Sequence, residues 1–194
     1  MEDETQLEQD GRRADVRNAM KVMHSPMGLG VTVDVEDAYL LLNAVRCYIG
    51  GADAGTIFCA HATCERDLAA LVRHTDPVPK HSARWGLGGL VQHFESLNNS
   101  MPSELLGRLR ALNDHRKTLY HYGHSEAPSA LRARTYDLIE DVGSATLRDD
   151  FRELHDYQGD NKDIITFAMD RVLKNDALAA LTTSLMLRSW LTRR

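Results

Sequence analysis

Apolar residues recur at intervals of three and four from Val35 to Leu185, and that period commits most of the chain to amphipathic helices. A helix turns once per 3.6 residues, so each such row falls on one face and must be buried against another element. Half-buried strands need strict alternation instead. Only the short Val31-Thr32-Val33 offers it. Aromatic residues make up 6% of the sequence, which also tilts the reading toward helix. With 194 residues, of which 43% are hydrophobic, the chain can bury one core of ordinary size. The expected fold class is all-α, a bundle of four to six helices behind a charged N-terminal arm. Residues 1–30 read as the arm and a linker, and residues 31–194 as the bundle.

Breakers divide the bundle. The first helix is expected over 34–49, capped by Asp34, with Val35, Ala38, Leu42, Val45 and Ile49 as its apolar stripe. Gly50 and Gly51 stop it, because glycine tolerates a left-handed turn. A second helix over 53–74 carries Ile57, His61, Cys64, Leu68 and Leu71 on one face, with Glu65 at the edge. The prolines of Asp76-Pro77-Val78-Pro79 end it. A third is expected over 84–98, weak at Gly86, Gly88 and Gly89. A fourth starts at Pro102 or Ser103. After a loop over 123–130 come helical pieces over 131–155, broken at Gly143-Ser144. A final helix covers 163–191, or two helices separated near Asn175-Asp176.

Charge and cysteine usage narrow the function classes. The net charge is −5, so nucleic-acid binding would need a local basic patch. Arg108, Arg110, Arg116 and Lys117 supply one on the fourth helix. Cys47, Cys59 and Cys64 are an odd set, which fits a reducing compartment rather than a disulfide framework. The opening MEDETQLEQDGRR lacks the apolar core of a targeting segment, and no stretch is apolar enough to span a bilayer. A cytoplasmic, membrane-free location is expected.

Chemistry-bearing residues concentrate in one stretch, Leu112 to His124 (LNDHRKTLYHYGH). Leu105, Leu109, Leu112 and Leu119 form the core stripe of that helix, and Arg116 continues it between Leu112 and Leu119. A charge aimed at a core needs a partner, and Glu65 on the second helix is the nearest candidate. Asn113, Lys117, His121 and His124 form a separate polar stripe. It reads as a phosphate-facing surface or as a solvated helix face. Positions five apart differ by roughly 140° on an ideal helix. Arg116 and His121 therefore converge only if the helix bends or ends there, or if a second chain meets it.

The R-x4-H spacing of Arg116 and His121, following Ala62-Thr63-Cys64-Glu65-Arg66-Asp67-Leu68 of the form A-x2-E-x2-L, resembles the HEPN superfamily. The resemblance spans about residues 34–124 and extends to the last helix. Many members are RNases of toxin–antitoxin and antiphage systems. The resemblance implies metal-independent RNA cleavage without a cofactor, by attack of the ribose 2′-hydroxyl on the adjacent phosphate to leave a 2′,3′-cyclic end. Arg116 and His121 would be the catalytic pair, the first holding phosphate with a planar charged fork and the second moving a proton. Asn113, Lys117, Tyr120 and Glu65 would support them. Two chains paired across this helix would make a composite site. The family usually places Asn, Asp or His after the arginine, where this chain has Lys117. The alternative is a catalytically silent HEPN-like module that binds another protein, such as an antitoxin or a nucleotidyltransferase. A third reading is an unrelated helical domain in which Arg116 and Glu65 form a structural ion pair.

Three other features read as structural. Cys59, His61 and Cys64 have the wrong spacing for ligands on one helical face, and packing accounts for them. Gly86-Leu87-Gly88-Gly89 lacks the Lys-Ser/Thr ending of a phosphate loop. Arg188, Arg193 and Arg194 with Trp190 could touch RNA, but a solvated helix end with cations complementing the dipole fits them better.

Overall fold

A computed structural model describes residues 2–21, 35–75, 77–97, 101–120, 127–143, 146, 147, 149 and 161–193. The described residues are helical and contain no strand, so the protein is all-α. Among the described residues, seven α-helices can be followed from start to end: α1 (Glu2–Met20), α2 (Val35–Ile49), α3 (Asp53–Arg73), α4 (Leu87–Ser96), α5 (Ser103–Tyr120), α6 (Ala127–Val142) and α7 (Asn161–Leu191). The proposed linker over 25–30, the strand candidate over 31–33 and the Asp34 cap lie outside the described residues.

α7 is the spine. Its 31 residues reach about 46 Å at the helical rise, and it packs on α1, α2, α3, α5 and α6. It runs unbroken through Asn175-Asp176, where two helices were an option. Those residues cost a helix only a few tenths of a kcal/mol each. Burial of Ala177, Ala180, Leu181 and Leu185 beside them holds the segment helical.

α2 and α3 form an antiparallel hairpin. Gly51, at φ +79, takes the left-handed turn that ends α2. Its amide donates to the Tyr48 carbonyl and the Ala52 amide donates to the Cys47 carbonyl, which together satisfy the last carbonyls of the helix. The buried face of α2 differs from the expected stripe. Ala44 and Tyr48 are fully buried, while Leu42 is exposed. The face is set by where α3 and α7 approach, and Tyr48 brings more apolar surface to it than Leu42 would.

α4 begins later than expected. A single 3-10 turn occupies Ser82–Arg84, Trp85 and Gly86 are extended, and the α-helix starts only at Leu87. α6 starts earlier, at Ala127, with Pro128 in the first turn where a missing amide costs nothing. Leu87, Leu90, Val91 and Phe94 of α4 join Leu105, Leu109 and Leu112 of α5 in the main core. A smaller cluster of Leu147, Ile164 and Ala168 sits with Leu138 and Ile139 between α6 and α7.

The charged N-terminal segment is a helix docked on this core. Val16 and Ala19 are buried in the same cluster. Arg12 is buried as well, and its guanidinium forks onto Asp53, with Nη2 to Oδ2 at 3.0 Å, while Nη1 donates to the Tyr48 carbonyl at 3.1 Å. Burial alone would lower the arginine pKa, but Asp53 and then Glu8 outweigh it and raise it. The Tyr48 hydroxyl donates to Asp15 at 2.8 Å, and Arg12 lies over the Tyr48 ring. Burial and the Asp15 carboxylate push the Tyr48 hydroxyl pKa up.

Candidate functional site

The helices that carry the two motif segments, α3 and α5, pack against each other and against α4. On α5 the apolar stripe of Leu105, Leu109 and Leu112 is buried, and the next positions, Asn113 and Arg116, are half-buried. On α3, His61 and Glu65 are one turn apart, on the stripe shared by Ile57, Cys64 and Leu68. His61 Nε2 lies 3.5 Å from Asn113 Oδ1, at the outer limit of hydrogen bonding.

Glu65 has a defined task. Its Oε2 accepts the Leu87 amide at 2.9 Å. That amide is one of the donors left unpaired at the start of α4, and a carboxylate there also meets the positive end of the helix dipole. The same oxygen is 4.0 Å from His61 Nδ1. The glycines of α4 make the approach close. A Cβ at Gly88 would stand 3.2 Å from Asn113 Nδ2, and one at Gly86 would stand 3.5 Å from Glu65 Oε2. His61, Glu65, Asn113 and the first residues of α4 thus form one polar cluster at the junction of three helices.

Arg116 and Lys117 extend that cluster electrostatically. Burial lowers the pKa of His61, the Asn113 contact and the Glu65 charge oppose the shift, and the positive charges of Arg116 and Lys117 add to it. The shift favours the neutral imidazole. Lys117 is exposed and lies 3.5 Å from Asp114 on its own helix. His61 and Asn113, with the positive charges of Arg116 and Lys117 felt at the ring, combine hydrogen-bonding groups and positive charge, which suits an anionic ligand.

The sequence candidates fare unevenly. Asn113, Glu65, Arg116 and Lys117 lie along the α3–α5 junction. His121 and His124 lie outside the described residues, and so does the side chain of Tyr120, the last residue of α5. The helix continues through Tyr120, so any convergence of Arg116 with His121 depends on the chain beyond it. His61 is buried, as packing on the α3 stripe predicts. It also reaches the Arg116 helix through Asn113. Its position one turn before Glu65 was the available signal.

Arg188 does not lie on the solvated helix end expected of it. Arg188 is buried and pairs with Asp67 of α3, Nε to Oδ2 at 3.0 Å. Trp190 packs edge-on against Phe94. Only Arg193 fits the expectation of exposure, and Arg194 lies outside the described residues. A burial requirement at the α3–α7 contact overrides the helix-end preference for Arg188, because Asp67 could not remain there unpaired.

A second polar cluster links α5, α6 and α7. Arg134 Nη1 donates to both carboxylate oxygens of Asp176 at 2.7 Å. His115 Nδ1 is 3.6 Å from Asp176 Oδ1, and its Nε2 is 3.4 Å from Arg134 Nη1. Burial lowers the His115 pKa; Asp176 opposes this and Arg134 adds to it.

Cys59, His61 and Cys64 face different surroundings. His61 meets Asn113, Cys59 meets Cys47, and Cys64 is fully buried with its thiol pKa pushed up by burial. No group of three ligand-type side chains occurs among the described residues. No described helix is long and apolar enough to cross a membrane. No protein-family model, curated protein or solved structure matches this chain.

Proposed function

We propose that the protein is a HEPN-like endoribonuclease that cleaves RNA by 2′-hydroxyl attack, without a required metal. One observation carries the reading: Glu65 of the A-x2-E-x2-L segment and the α5 helix that bears Arg116 meet at a single polar cluster, through the His61–Asn113 contact. In this reaction a base takes the 2′-hydroxyl proton, the 2′-oxygen bonds to phosphorus, and the 5′-oxygen leaves with a proton from an acid. Arg116 neutralises the phosphoryl oxygens as negative charge builds on them. His121 moves the protons. Glu65 anchors α4, and His61 positions Asn113, so both are positioning residues. Lys117 adds positive charge for the RNA backbone. A homodimer across α5 would supply two Arg116–His121 pairs to one composite site, and a role in toxin–antitoxin or antiphage defence follows from the resemblance.

The test is digestion of structured and single-stranded RNA in EDTA by the wild type, Arg116→Ala and His121→Ala. Cleavage with cyclic-phosphate ends, lost in both variants, supports the reading. Full activity in both variants removes Arg116 and His121 from the chemistry.

A second reading is a catalytically silent HEPN-like interaction module that pairs with a protein such as a nucleotidyltransferase. The engagement of Glu65 by the Leu87 amide, together with Lys117 after Arg116, favours it. It predicts intact RNA and co-purification of one specific protein partner.

A further inference from the structure

The hairpin of α2 and α3 brings together two cysteines that the proposed reaction does not use. Burial raises the Cys59 thiol pKa, and Cys47 across the hairpin adds to the rise, which places the two thiols as neighbours. Both residues are only partly buried, whereas Cys64, one turn and a half further along α3, is wholly enclosed. Cys47 lies in the last turn of α2, where the chain reverses through Gly50-Gly51-Ala52 and the Ala52 amide closes onto the Cys47 carbonyl at 2.8 Å. Gly55 stands opposite. A Cβ there would be 3.2 Å from Cys47 Sγ, so the absent side chain leaves the room that the sulfur occupies. A disulfide needs its two Cα atoms close, usually within 4.4–6.8 Å, and Gly55, against which Cys47 Sγ packs, lies one turn before Cys59 on the same face of α3.

We infer that Cys47 and Cys59 are a redox modification site that closes into a reversible intramolecular disulfide on exposure to a hydroperoxide. One thiolate attacks the peroxide oxygen, forming a sulfenic acid and releasing water or an alcohol. The second thiol attacks the sulfenic sulfur, the S–S bond forms, and a second water leaves. For hydrogen peroxide the balance is two thiols and one peroxide giving one disulfide and two waters. A dithiol reductant reverses it by exchange. The thiols are oxidised and the peroxide is reduced, so no other co-reactant is required.

The closed loop has a specific content. It encloses Tyr48, whose carbonyl accepts Arg12, and Asp53, whose carboxylate pairs with Arg12. The bond would tie together the two acceptors that seat α1 on the body. It would leave the α3–α5 junction untouched, because Cys64 and the residues beyond Cys59 stay outside the loop.

The test is hydrogen peroxide treatment of the intact, folded protein, followed by alkylation and peptide mapping without reduction. Cleavage before Asp53 separates Cys47 from Cys59 and Cys64, and fragmentation of the linked peptides then identifies the partner. The expected result is one Cys47–Cys59 link, with Cys64 still alkylatable after unfolding and both thiols recovered by dithiothreitol. The link should persist in Cys64→Ser and vanish in Cys47→Ser and Cys59→Ser. Sulfinic or sulfonic acid on either residue without a link overturns the inference, and so does a bond to Cys64 or between two chains. Mapping of the wild type decides the matter even where a serine variant fails to fold.

Discussion

His61 on α3 and Asn113 on α5 meet edge to edge, Nε2 to Oδ1 at 3.5 Å, and their contact joins the helix of Glu65 to the helix of Arg116. The glycine at position 88 permits this closeness, since a Cβ there would press on Asn113 at 3.2 Å.

The glycines of α4 and α5 make a paired prediction. Gly107 lies on exposed α5 surface with nothing within 4 Å of an added Cβ, so Gly107→Ala should stabilise the protein by about 0.5–1 kcal/mol through helix propensity. Gly88→Ala gains the same propensity but must displace Asn113, so it should gain less or lose stability, and the His61 ring resonances should move. Urea melts of both variants check this. An equal gain at both positions, with His61 unmoved, would show that Asn113 yields freely.

The two depressed histidines set a direction for pH dependence. His61 and His115 both have folded pKa values below the ordinary histidine value. Each binds fewer protons folded than unfolded between those two values. Their contribution to stability is complete above about pH 6.5, the unfolded value, and is lost as pH falls through that window toward the folded values. The thermal midpoint should therefore fall between pH 7.5 and 5.5. His61→Gln and His115→Gln should each flatten that slope, and a slope equal to wild type in both would rule the two rings out as its source.

Asp67 and Arg188 form the most enclosed ion pair described, with each side chain about 5% exposed. Arg188→Met leaves the Asp67 carboxylate buried without its partner and should cost about 3–5 kcal/mol. The double variant Asp67→Leu with Arg188→Met removes both charges and should recover much of that loss. Chemical denaturation of the single and double variants measures the difference. A single variant as stable as wild type would mean that water reaches Asp67.

Arg12→Ala should free α1 without unfolding the body. It removes the fork onto Asp53 and the bond to the Tyr48 carbonyl, leaving Val16 and Ala19 as the apolar seat of the helix. Amide exchange should rise along residues 2–20 and stay at wild-type levels in α3 and α7. Uniform acceleration across all helices would instead make α1 part of one cooperative unit.

Glu65→Ala removes the acceptor of the Leu87 amide and should cost about 1 kcal/mol, in the manner of a lost helix cap. Glu65→Gln retains an acceptor and should cost less. Thermal melts of the pair check the order, and the reverse order would show that the carboxylate charge carries an unfavourable burial cost.

By itself, the sequence determined what short-range physics controls. Apolar spacing specifies helices over α2, α3 and α5, and Gly50-Gly51 and Ser103 mark ends and starts, because periodicity, turn chemistry and first-turn preferences act within a few residues. It also singled out Glu65, Asn113 and Arg116 as the residues of interest on two helices. Tertiary structure alone decided which faces are buried and who meets whom. Tyr48 rather than Leu42 fills the α2 face, α7 stays continuous through Asp176, and His61 reaches Asn113. Arg188, read as a helix-end cation, is drawn inward by a carboxylate 121 residues away. No local pattern encodes such a partner. A buried charge takes its position from the charge it neutralises, and only the packing of α7 on α3 brings those two together.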